Sequence, residues 1–145
     1  MDRREVLGIL GAGAAGLVAM GGGSTRADDQ GHEHDGHIKT ISDCAKICNE
    51  AAHHCLSQLK KGGPLAEYHG AAHEAAMDCQ AFCTLTATLM ARSSPMAKHA
   101  HQACGNACHD CAAACERHPD EIMKECVKAC RDCEKVCRQM AGGPG

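Results

Sequence analysis

The sequence predicts an all-α protein, an antiparallel up-down-up-down four-helix bundle with an inward-facing cysteine core. Three observations predict it. Cysteines recur at steps of three and four, the spacing of one helix face, as in "CGNACHDCAAAC" and "CVKACRDCEKVC". Glycine and proline clusters fall at only a few places, so the connections are short and neighbouring helices run antiparallel. Large apolar side chains are too few for a conventional core: the 145 residues hold one Phe, one Tyr and no Trp against 13 Cys.

Residues 1–27 read as a removable leader. Arg3 and Arg4 open it in "MDRREVLG", a weakly apolar run follows from Gly8 to Gly23, and "STRA" offers a small-residue cleavage site at Ala27. "RREVL" is similar to the twin-arginine export motif, which predicts an exported protein, periplasmic or otherwise extracytoplasmic. Residues 28–39, "DDQGHEHDGHIK", read as a flexible arm carrying His32, His34 and His37. The bundle is expected over residues 40–141, with a disordered tail at 142–145.

Each helix has its punctuation. Thr40 is placed to cap the first, which stops at Gly62-Gly63. Pro64 opens the second, where a missing N–H does no harm. "RSSP" closes it: Ser94 is expected to cap the third helix and Pro95 to begin it. Pro119 opens the fourth, with Asp120 and Glu121 favourable in its first turn. "GGPG" ends it.

Steps of three and four place 41, 44, 48, 51 and 55 on one stripe of the first helix. The second gives 69, 72, 76, 79, 83, 86 and 90. The third gives 101, 104, 108, 111, 115 and 118, and the fourth 123, 126, 130, 133, 137 and 140. Every cysteine lies in this frame: Cys44, Cys48, Cys55, Cys79, Cys83, Cys104, Cys108, Cys111, Cys115, Cys126, Cys130, Cys133 and Cys137. Ala51, Ala72 and Ala76 hold central slots between them. Thiols occupy the positions where Leu, Ile, Val and Phe normally sit.

Composition excludes some classes. Without residues 1–27 the chain has 12 bases against 16 acids, a balance of −4, which argues against a nucleic-acid partner. No stretch of the remainder is apolar enough to span a bilayer. A thiol oxidoreductase would place C-x-x-C at the start of a helix after a strand, whereas "CHDC" and "CRDC" lie inside longer helical repeats.

Four chemistries could use so many thiols. A disulfide-stapled bundle is the simplest for an exported chain. Thirteen is odd, however, and cysteines one helical turn apart have Cβ atoms about 5–6 Å apart, where a disulfide needs about 3.8 Å. Iron–sulfur clusters draw their thiolates from loops with other spacings. Zinc sequestration at four thiolates per ion would set twelve thiolates against roughly +6 and bury the excess charge. Copper(I) fits best. It is soft, favours thiolate, and one Cu⁺ per cysteine leaves a neutral interior. The zinc and disulfide alternatives stay open at this point.

A paired-arginine leader, a histidine-bearing arm and four helices lined by CxxxC and CxxxCxxCxxxC resemble the bacterial copper storage proteins, over the whole chain. The resemblance implies a bundle filled with multiple Cu(I) ions on all thirteen cysteines and no catalysis. It also implies a homotetramer that supplies copper enzymes. The frame ends in weaker donors. His69, His118 and Met123 lie at the end bearing residues 62–64 and 117–119, with His73 and Met77 a turn on. His101, Met90 and Met140 lie at the other end. Imidazole and thioether suit copper, so His69, His73, His118 and Met123 are the expected ligands of a loading mouth. His53, His54, His99 and His109 are expected to face outward.

Overall fold

The computed structural model describes residues 25–142. They form four helices: α1 (Thr25–Lys61), α2 (Ala66–Ala91), α3 (Ala97–Cys115) and α4 (Glu121–Ala141). Helix α1 packs on α2 and α4, and α3 packs on the same two, while the diagonal pairs do not approach. Short connections turn each helix back on the last. The all-α up-down-up-down bundle is therefore the fold.

The connections show why the helices stop where they do. Gly62 (φ 70°) and Gly63 (φ 118°) take left-handed conformations that a side chain would disfavour. Pro64 lies in the turn itself, and α2 begins two residues later. The second connection uses Ser93 at φ 52°, with Ser94 N–H donating back to the Leu89 carbonyl at 2.9 Å. Ser94 is not the cap of α3. Met96 occupies that position and its N–H donates to Ser94 Oγ at 3.3 Å, so the serine acts outside the helix. Asp120 is the N-cap residue of α4, yet its side chain makes no capping bond.

The flexible arm expected at 28–39 is instead the continuation of α1, which begins at Thr25. Thr40 caps nothing; its hydroxyl donates to the Gly36 carbonyl inside the helix. No glycine pair or proline interrupts the run. Lys39 and Asp43 pair one turn apart, and Ile38 packs against the core. These contacts act against the roughly 1 kcal/mol that each of Gly31 and Gly36 costs in a helix interior. His32 is exposed, whereas His34 and His37 are half-buried. The proposed leader falls on residues 1–24, outside the described residues, and on the first turn of α1. Residues 143–145 of the expected tail are also outside them.

The interior is the cysteine stripe. All thirteen cysteines are fully buried, together with Ala51, Ala72, Ala76, Ile41, Met90 and Met123. Ion pairs cover the outside of α1, α3 and α4, such as Lys46–Glu50, Lys128–Asp132 and Arg131–Glu134. Helix α2 differs: Met77, Phe82 and Leu85 stand exposed on it. No described helix is long and apolar enough to cross a membrane.

Candidate metal centre

The thiols form one connected array. The sulfurs of Cys44, Cys48, Cys79 and Cys130 all lie within 4.8 Å of one another. The same holds for Cys48, Cys111, Cys126 and Cys130, for Cys44, Cys83, Cys108 and Cys133, and for the trio Cys104, Cys133 and Cys137. Cys44, Cys48, Cys130 and Cys133 each belong to two groups, which joins the four into a column. Cys115 attaches through Cys126 at 3.9 Å, and Cys55 reaches Met123 Sδ at 3.7 Å.

All thirteen cysteines are free. Nearest sulfurs stand 3.6 Å apart, as in Cys48–Cys130, Cys79–Cys108 and Cys83–Cys104. A disulfide bond is about 2.05 Å long. Two sulfurs on one soft ion, each about 2.3 Å from it, can stand no more than about 4.6 Å apart. The array thus has the spacing of bridged metal ions rather than of disulfides. Shared corners also separate it from a set of isolated tetrahedral sites, which would need private sulfurs.

Burial and mutual contact set the protonation of the array. Burial, reinforced by Cys126 and Cys111, pushes the Cys55 thiol up to about 11. Within the column the thiols lean on one another. Hydrogen bonds from Cys108 and Cys111 draw Cys79 below the ordinary thiol range, and contacts with Cys111 and Cys126 push Cys48 above it. Each sulfur that ionises does so at its neighbours' expense. Only cations can let the whole column ionise together.

The mouth residues behave differently from one another. His69, near the start of α2, and His118, in the α3–α4 connection, are 7% and 4% exposed. Their rings lie 4.6 Å apart. His69 Nδ1 and His118 Nε2 are buried without a hydrogen-bond partner. Burial lowers the His69 pKa, with help from His118 and His54, so its ring is held neutral. Met123 joins this end through Cys55. His73 does not: its Nδ1 lies 2.8 Å from the Ala52 carbonyl, to which it donates across the α1–α2 seam. His54, expected to face outward, turns instead toward this end. It is only 23% exposed at its side chain, lies 6.0 Å ring-to-ring from His69, and bonds Asp120. Its position off the stripe hid it, because the α3–α4 connection brings Asp120 to it. At the opposite end His101 is 3% exposed and its Nδ1 is likewise unpartnered.

A column of thirteen buried, unpaired thiols inside four antiparallel helices, closed at each end by imidazole and thioether, defines a container for soft monovalent ions. The model of the copper storage protein family matches residues 30–142. The chain belongs to that family. Its fold is similar to that of the Cu(I)-bound copper storage protein BsCsp3, at 27% identity and a TM-score of 0.67, covering 74% of this chain and 97% of the other. It is also similar to a cytosolic copper storage protein of Streptomyces lividans carrying five coppers, at 29% identity and a TM-score of 0.68, covering 79% and 99%. Ccsp of the same organism loaded with 10 copper equivalents is similar at 29% and 0.68, covering 77% and 85%. No curated protein matches the chain.

The protein is a copper storage protein, and its cargo is Cu(I), held as multiple ions. The comparison corrects one expectation. The Streptomyces lividans relative is described as a cytosolic copper storage protein, which points against export. The reading of an exported, periplasmic protein does not stand.

Proposed function

We infer that the chain stores about one Cu(I) per cysteine, with all thirteen cysteines as ligands, in a unit spanning residues 40–141. The observation that carries this is the continuity of the array. Because sulfurs are shared between adjacent groups, each thiolate can bridge ions, and thirteen thiolates are neutralised by thirteen Cu⁺. The sulfurs face one another and not a substrate cleft, which suits holding ions rather than turnover.

Copper loads through the loop end, with His69, His118 and Met123 as the weaker ligands leading to Cys55. Two unpartnered buried ring nitrogens there support this, since such atoms cost free energy unless a ligand takes them. His73, tied to Ala52, holds the seam beside the mouth. The chain assembles as a homotetramer and supplies copper to a copper enzyme or chaperone. The exposed Met77, Phe82 and Leu85 on α2 support self-association.

Anaerobic titration with Cu(I) against a chromophoric chelator tests the storage reading. Saturation near one ion per cysteine is expected. Saturation at three or four ions, or a thiol count near one in unfolded protein kept free of reductant, overturns it.

A further inference from the structure

The two mouth imidazoles are too deeply buried to meet copper directly from water. Something less buried must receive the ion first. Beside them stands His54, whose side chain is 23% exposed and whose ring meets that of His69 edge-on at 6.0 Å. His54 also lines a groove of about 560 Å³ between α1 and α4, with His53, Asn49, Ser57 and Ile122. The groove therefore opens onto one imidazole of a series. Exposure falls from His54 to His69 to His118, and reaches zero at Met123 and Cys55. Donor softness rises in the same direction, from imidazole to thioether to thiolate.

Asp120 gives the second observation. It occupies the N-cap of α4 but leaves the helix uncapped. A capping aspartate contributes about 1 kcal/mol, and here that contribution is forgone. The carboxylate instead bonds His54 Nε2 at 2.9 Å. A carboxylate that accepts from Nε2–H fixes the tautomer in which Nδ1 carries the free lone pair. This is how metal-binding imidazoles are commonly held.

We propose that His54, oriented by Asp120, is the outermost Cu(I) ligand of the loop end, taking the ion from the α1/α4 groove and passing it to His69 and His118. The inference rests on the loop-end loading reading above. The step is ligand exchange alone. Copper stays Cu(I), the imidazoles lend and withdraw lone pairs, and the only proton lost is that of the thiol that finally binds. His54 touches copper, whereas Asp120 is a positioning residue.

Stopped-flow loading of the full chain from a Cu(I)–bicinchoninate complex, without oxygen, tests this. His54→Gln keeps a partner for Asp120 but gives up the imidazole. It should slow the first phase of loading about tenfold, the lower end of the range for disturbing a metal-site group, and leave the final capacity unchanged. His69→Gln should slow the same phase, and the double variant should load no more slowly than the slower single one. Asp120→Ala should move the His54 ring ¹⁵N resonances away from the Nε2–H tautomer, a change that a merely structural role would not produce. If His54→Gln loads at the normal rate while His69→Gln is slow, the groove route is overturned and the mouth stands. If both load normally, the mouth falls and takes the groove route with it. Slowing that multiplies in the double variant also overturns the series.

Discussion

Lowering the pH from about 8 to about 6 is expected to weaken Cu(I) binding about a hundredfold for each ion that displaces one thiol proton, or about 2.7 kcal/mol per ion. The magnitude follows from burial. Cys55 lies fully inside the bundle, and burial raises its thiol from 9.0 to about 11. Near neutral pH its proton is therefore about two pH units harder to remove than that of an exposed thiol, adding about 2.7 kcal/mol of proton competition at this position. Anaerobic competition with a Cu(I) chelator at several pH values measures the affinity. Uptake in weak buffer with a pH electrode counts the protons. The count should approach one per copper. Cys55→Ala should bind about one copper fewer and release about one proton fewer. Affinity that ignores pH, with almost no proton release, would mean a core already ionised before copper arrives, and the charge-balance reasoning would fail. The same shift has a stability sign. The folded value lies above the unfolded one, so stability from the neutral thiol is complete below about pH 9. It is lost as the pH rises toward about 11, where alkaline unfolding of the copper-free protein would report it.

Acid should act through the histidines. Burial lowers the pKa of His69 and of His101 below 6.5, so the stability they lend is present above about pH 6.5 and lost below it, visible as a falling melting temperature of the copper-free protein. Gly105 sits where α3 meets α4, and a Cβ there would lie 3.4 Å from that of Cys137. Gly105→Val should cost about 1–3 kcal/mol in denaturant unfolding, whereas Gly105→Ala should cost far less. Ala76 is fully buried beside the thiols. Ala76→Leu should overpack by a similar amount and lower the copper capacity, and unchanged capacity would show that this alanine does not reserve space for ions.

Cys130 and Cys48 could be placed facing inward because their partners three and four residues away repeat the same chemistry. A stripe is a property of one helix and needs no partner to be seen. The stops at Gly62-Gly63 and around Pro119 were legible for the same local reason. The start of α1 was not. Residues 28–39 have no apolar stripe, and their helix depends on contacts such as Ile38 against the core. Nor were the partners of His73 and His54. One turns to a carbonyl of α1 and the other to the cap of α4, and both partners lie on other segments of the chain.

Spacing and composition by themselves determined that thirteen thiols line four helices and that grease could not fill the interior, because helical periodicity is written into the chain residue by residue. Only the tertiary structure decided which sulfurs share a site and that Asp120 holds His54 beside His69. Those facts depend on the register between helices, which packing sets and no single helix encodes.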